Sequence, residues 1–79
     1  MKSLNELIYE AKEEYRRHER LEPILLDGIS EMHARNALNH LINRSWNEAL
    51  TEAKVAASQR PRWEHFAQIV ATIHELDDV

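Results

Sequence analysis

Apolar side chains recur along this chain at the three- and four-residue spacing of amphipathic helices, in four successive stripes. The stripes predict helices at about residues 4–20, 30–44, 46–59 and 62–76. Ser3 is followed three residues later by Glu6, which is the capping-box pattern of a helix start. Ser45 stands in the same relation to Glu48. The pattern therefore predicts an all-α fold, a small four-helix bundle.

The third stripe consists mostly of small side chains: Trp46, Ala49, Leu50, Ala53, Ala56 and Ala57. Small residues let a neighbouring helix approach closely. Arg60 should end this helix because proline disfavours the helical conformation in the residue before it, and Pro61 can open the next helix. We therefore expect the bundle to be built on an antiparallel helical hairpin with a tight corner at residues 58–61.

Larger apolar side chains lie on the first and fourth stripes: Leu4, Leu7, Ile8, Ala11 and Tyr15 on the first, and Trp63, Phe66, Val70 and Ile73 on the fourth. Leu50 and Phe66 are central on their stripes. We expect both to be core residues, so truncation of either to alanine should cost about 2–5 kcal/mol. Glu13 and Arg17 have the spacing of an intrahelical ion pair.

Residues 21–29 form the predicted joint between the first two helices. Asp27 and Gly28 make a turn or helix-stop signal. We expect a short apolar turn at 23–26, then a break, with Ser30 capping the second helix. A helix that continues through Gly28 is the alternative, at a cost of about 1 kcal/mol relative to alanine.

The second predicted helix has two different sides. Its expected core side carries Ala34, Leu38, Leu41 and Ile42. The opposite side is polar but poor in charge, and it carries Met32, His33, Asn36, His40 and Asn43. Because the centres of protein interfaces are depleted in charge, we interpret these five residues as a partner-binding face that folding does not need. A solvated face that happens to be poor in charge is the alternative.

Composition narrows the class of protein. The 79 residues suit one domain, and with one Gly, two Pro and no Cys they do not suit an all-β fold, a disulfide framework or a cysteine-based zinc site. A formal charge of −4 argues against nonspecific nucleic-acid binding. No apolar run is long enough to span a bilayer, and the start lacks the apolar core of a signal peptide. The expected compartment is the cytoplasm.

Candidate chemistry is sparse. His33 and His40 are seven residues apart, which places them about 10.5 Å apart along a helix, too far to share one ion. The chain contains neither a nucleophile elbow nor a glycine-rich phosphate loop. We therefore expect no catalytic residue, no metal site and no cofactor. A metal site assembled across helices or across a dimer is the alternative.

The segment Trp46-Asn47-Glu48-Ala49-Leu50, with Ala56 following and Pro61 closing the helix, resembles the second helix of a tetratricopeptide repeat in residue type and spacing. Ala37 falls where that family places a small residue on its first helix. His33 and Asn36 depart from the family, which prefers Trp and Leu there. The resemblance covers about residues 30–76 and implies a helical hairpin that binds protein or peptide.

These observations favour a non-enzymatic protein–protein interaction module: an adaptor, a small chaperone, or an inhibitor that occludes a larger protein. The partner would be another protein or a second copy of this chain. The alternative function is a dimeric nucleic-acid-associated regulator, with Arg35, Arg44, Arg60 and Arg62 gathered on one side.

Overall fold

The computed structural model describes residues 3–21 and 28–77, with side chains at 3–17 and 32–76. These segments form four α-helices: α1 (Leu4–Leu21), α2 (Gly28–Ile42), α3 (Trp46–Gln59) and α4 (Glu64–Asp77), with a 3-10 turn at Pro61–Trp63. They contain no strand, so the all-α prediction is confirmed. The predicted apolar turn at 23–26 lies outside the described residues.

The helices pack in a ring in which each contacts the helices before and after it, and α4 closes onto α1. Side-chain pairs give the directions. The turn at residues 43–45 joins the end of α2 to the start of α3. His33, in the first half of α2, lies beside Glu52, in the middle of α3, so α3 runs back along α2. Asn47 near the start of α3 contacts His74 near the end of α4. Both pairs of helices are therefore antiparallel, and the fold is a small four-helix bundle about 39 Å long and 20 Å wide.

The two predicted capping boxes differ in the structure. The backbone N–H of Glu6 donates to the Ser3 hydroxyl at 3.2 Å, which confirms the cap of α1. Helix α3 begins at Trp46 as predicted, but Ser45 makes no side-chain cap hydrogen bond. Its backbone angles, φ −95° and ψ 77°, lie outside the extended conformation that aims a capping hydroxyl at the helix.

Ser30 lies inside α2, two residues after Gly28, so the prediction that Ser30 caps this helix is wrong. The residues immediately before Gly28 lie outside the described ranges, so the alternative of a helix that continues through Gly28 stays a prediction.

The end of α2 is also earlier than predicted, at Ile42 in place of residue 44. Arg44 has a left-handed backbone, with φ 61°. The N–H of Ser45 donates to the His40 carbonyl at 2.8 Å, and the N–H of Arg44 donates to the Leu41 carbonyl at 3.1 Å. These two bonds make a Schellman motif, which ordinarily places glycine where this chain has Arg44.

The corner before α4 follows the proline rule. Arg60 is extended, with φ −138° and ψ 112°, and its N–H donates to the Ala56 carbonyl. Pro61 then opens the 3-10 turn, and the α-helix proper begins at Glu64. The predicted hairpin corner is confirmed, while the first turn of the fourth helix is tighter than predicted.

The core combines bulky side chains from α4 with small ones from α2 and α3. Its buried apolar residues are Leu7, Ala11, Tyr15, Ala34, Ala37, Leu41, Trp46, Ala49, Ala53, Ala56, Trp63, Phe66, Ile69, Val70 and Ile73. The prediction that Ile42 faces the core is wrong, because Ile42 points outward and is 51% exposed. Leu50 packs against the core as predicted but is only partly buried. The buried stripe of α2 is therefore narrower than the sequence pattern indicates.

Ion pairs on α1 follow a three-residue spacing. Arg16 contacts Glu13 at 2.8 Å, and Arg17 contacts Glu14 in place of the predicted Glu13. Glu14 is buried, which is unusual for a carboxylate, and Arg17 supplies the opposite charge there. The predicted four-residue pair is therefore wrong.

Candidate contact surface on α2

Helix α2 presents three kinds of surface, which follow from its position between α1 and α3. Ala34, Ala37 and Leu41 are fully buried and form its core stripe. The exposed positions recur at helical spacing on the opposite side: Met32, Arg35, Asn39, Ile42 and Asn43. We refer to these five residues as the outward surface of α2. The other described side chains of α2 are half-buried on the two flanks: His33, Asn36, Leu38 and His40.

One flank faces α3 and carries both histidines. The Nδ1 of His33 contacts the carboxylate of Glu52, and both side chains are half-buried. His40, two turns further along, lines an open groove together with residues of α3: Asn47, Glu48, Thr51 and Glu52. Both imidazoles therefore lie along the polar edge of the α2–α3 hairpin.

The structure divides the five residues predicted to bind a partner. Met32 and Asn43 lie on the outward surface, and Asn36 is half-buried between that surface and the flank. His33 and His40 face α3. At 3.6 residues per turn, His33 stands about 100° around the helix from Met32, so both residues cannot face the same partner squarely. The expectation that this face is not needed for folding stays a prediction, and for His33 the contact with Glu52 of α3 counts against it.

Sequence reasoning missed three residues of the outward surface: Arg35, Asn39 and Ile42. With Met32 they follow the spacing i, i+3, i+7, i+10, which keeps them on one side of a helix. The sequence pattern places Ile42 in the core because it is apolar and follows Leu41. Ala34, Ala37 and Leu41 recur at three- and four-residue spacing and form the buried stripe. Ile42 is one residue beyond Leu41, about 100° further around the helix, which places it outside that stripe.

Two side chains that line the groove make hydrogen bonds within the bundle. The Nε2 of His74 lies 2.6 Å from the Oδ1 of Asn47, which joins the end of α4 to the start of α3. The Thr51 hydroxyl donates to the backbone carbonyl of Asn47 at 3.0 Å, within α3. The side chain of Asn47 therefore takes part in the packing of α3 against α4.

The histidines and carboxylates do not assemble into a metal site within residues 3–21 and 28–77. In these ranges no group of three or more His, Cys, Asp or Glu side chains could hold an ion. His33 and Glu52 are paired, but no third ligand of these types completes a site beside them in the described part of the chain.

A second cluster lies at the end of the bundle where α1 finishes and α4 begins. Arg35 donates from Nε to the Tyr15 hydroxyl at 2.8 Å, and the Tyr15 ring lies 5.9 Å from that of Trp63. Arg60 precedes the adjoining 3-10 turn and Arg62 lies within it. Three of the four arginines singled out from the sequence therefore lie in this cluster or in the turn beside it, whereas Arg44 lies at the α2–α3 turn.

No family model, curated protein or solved structure matches this chain. The tetratricopeptide resemblance of residues 30–76 stays a prediction. Across the part of the chain that the structure describes, none of the helices is long and apolar enough to cross a membrane.

Proposed function

We propose that this chain is a non-enzymatic protein–protein interaction module, an adaptor, small chaperone or occluding inhibitor, which binds through the outward surface of α2. The observation that carries the proposal is the exposure of two large apolar side chains on that surface. Met32 is 49% exposed and Ile42 is 51% exposed. The compartment we propose is the cytoplasm, because the chain has no cysteine.

The polar residues around Met32 and Ile42 support contact with a protein. Asn39 and Asn43 carry neutral amides, whose burial costs less than that of a full charge when a partner supplies hydrogen bonds. Residues 32–44 contain no acidic side chain, although the whole chain has a formal charge of −4. Depletion of charge around apolar side chains is typical of the centre of a protein interface.

The exposed positions of the neighbouring helices carry charges of both signs. Helix α3 exposes Glu48 and Lys54, and α1 exposes Glu6 and Arg16 together with Tyr9. The antiparallel α2–α3 hairpin also suits the proposed tetratricopeptide resemblance, which implies binding of protein or peptide.

The proposal is tested by site-specific photo-crosslinking in the native cell. A photoreactive amino acid replaces Asn39 on the outward surface of α2, or Lys54 on α3 as the matched control. Both positions are exposed. We expect a discrete cross-linked protein from position 39 that Met32→Glu reduces at least about tenfold, since buried apolar anchors dominate interface energies. Equal cross-linking from both positions would contradict the proposal.

The alternative proposal is a dimeric nucleic-acid-associated regulator, and the gathering of Arg35, Arg60 and Arg62 at one end supports it. A phosphate-binding surface needs several such cations, and its affinity falls steeply with salt. Binding to duplex DNA, measured from about 50 to about 200 mM salt, separates the two proposals. A steep decline, lost in Arg60→Ala/Arg62→Ala, would support the alternative.

A further inference from the structure

We infer that the outward surface of α2 is occupied by a second copy of this chain, in a two-fold contact between antiparallel α2 helices. The inference rests on the proposed function, because it names the partner of the same surface. It is drawn from the order of residues along that surface, from their charge and from the area they offer.

The order of residues is the first argument. In a two-fold contact, residue i of one copy meets residue j of the other, and j meets i. When the helices are antiparallel, such pairs are symmetric about one midpoint. Met32 and Ile42 are symmetric about Ala37, and so are Arg35 and Asn39. An apolar side chain therefore meets an apolar one at each end of the contact, and a polar side chain meets a polar one between them.

The central pair also has compatible hydrogen-bonding groups. A guanidinium has five N–H donors, and the amide oxygen of asparagine is an acceptor. Arg35 and Asn39 are therefore compatible as donor and acceptor side chains, and the Nε of Arg35 donates to the Tyr15 hydroxyl within each copy. The two Arg35 residues would be offset by about 6 Å along the axis, at 1.5 Å per residue, which separates their charges.

Charge favours this surface over the others for self-association. Each copy has a formal charge of −4, so two copies repel each other wherever acidic surfaces approach. Between the paired positions 32 and 42 the sequence contains no carboxylate. A contact through α3 would instead bring Glu48 and Glu52 toward the second copy.

The area sets the strength of the contact. The strip from Met32 to Ile42 is about 15 Å long, and a helix is about 10–12 Å wide. A standard interface covers about 800 Å² on each partner, which is roughly a sixth of the 4993 Å² surface of this protein. One helix face supplies only part of that, so the dimer is a weak, reversible one.

The experiment is sedimentation equilibrium with a charge exchange across the expected pair. The variants are Met32→Glu, Ile42→Lys and the double variant that carries both changes. Glutamate near the start of a helix and lysine at its end both suit the helix dipole, so all three should fold. Helical content from circular dichroism verifies this, and Lys54→Glu on α3 is the matched control.

We expect concentration-dependent dimers of the wild type and of Lys54→Glu, and at least about tenfold weaker association for each single variant. In the double variant, the glutamate introduced at position 32 of each copy faces the lysine introduced at position 42 of the other. Association should therefore return to within about threefold of the wild type. An equimolar mixture of the two single variants should form heterodimers. Failure of the double variant and the mixture to recover would overturn the antiparallel register.

Two different measurements test the dimer and the proposed function, so one can fail while the other holds. A wild type that stays monomeric at millimolar concentration overturns the inference. The proposed function would still stand if Asn39 cross-links to a different protein, whose mass differs from that of this chain. A cross-linked product of twice the chain's mass supports both.

Discussion

The Nε of Arg35 donates a hydrogen bond of 2.8 Å to the hydroxyl of Tyr15, which joins α2 to α1. Tyr15 is buried, and its ring lies 5.9 Å from that of Trp63, which in turn meets Phe66 edge-on at 5.7 Å. One polar contact is thus continuous with an aromatic cluster that reaches α4. It also holds Arg35 at the margin of the outward surface of α2.

Removal of the Tyr15 hydroxyl should weaken the bundle without disturbing its packing. We expect Tyr15→Phe to lower the free energy of unfolding by about 1–2 kcal/mol, because the hydrogen bond has a charged donor and is partly buried. Urea unfolding measures the change. Tyr9→Phe is the control, since Tyr9 is exposed, and it should change stability by less than about 0.5 kcal/mol. Equal effects in both variants would contradict this role of Tyr15.

Two core truncations should differ because their burial differs. Phe66 is fully buried, so Phe66→Ala should cost about 3–5 kcal/mol. Leu50 is only partly buried, so Leu50→Ala should cost about 1–2 kcal/mol, below the range expected from the sequence. Equilibrium unfolding gives both values. A larger loss for Leu50→Ala than for Phe66→Ala would mean that α3 and α4 pack differently.

The left-handed Arg44 offers a stabilising substitution. Arg44→Gly should raise the free energy of unfolding by about 0.5–1 kcal/mol, because glycine lacks the Cβ that clashes in this conformation. Arg44→Ala is the matched control: it keeps the Cβ and should give no such gain. The midpoints of chemical unfolding measure the difference. A glycine variant less stable than the wild type would contradict the prediction, because it would show that contacts of the Arg44 side chain stabilise the protein by more than its backbone strain costs.

His33 should prove necessary for the α2–α3 contact. His33→Glu places a second carboxylate beside Glu52 and should cost about 1–2 kcal/mol of stability. Added salt should recover part of this loss, since it screens the repulsion. His33→Gln can still donate to Glu52 and is the control that should retain most of the stability. A His33→Glu variant as stable as the wild type would show that the contact between His33 and Glu52 does not stabilise the bundle.

Much of the fold could be predicted because local rules suffice for it. Ser3 and Pro61 mark helix boundaries through caps and backbone sterics, which depend on neighbouring residues alone. The C-terminal end of α2 was harder to predict. Arg44 has a left-handed backbone conformation that arginine disfavours, and the chain has no glycine there to indicate that the helix ends at Ile42.

The candidate site was predicted less well, and the reason is geometric. Periodicity identifies a polar side of α2, but it does not show how wide the buried stripe is. The alanines of α2 and α3 make that stripe narrow, which leaves Ile42 outside it. The partner of His33 is Glu52, 19 residues away on another helix. Which side chains of α3 face α2 depends on how the two helices pack, and the periodicity of α2 alone does not give that.

The central claim, that the outward surface of α2 binds a second copy of this chain, is tested most directly by a dilution series of amide correlation spectra. On dilution from millimolar to micromolar concentration, the resonances of Met32, Arg35, Asn39 and Ile42 should shift together along a single binding curve. Those of Tyr9 and Lys54, exposed on other helices, should stay still. Shifts confined to α1 or α3, or no shifts at all, would contradict the claim.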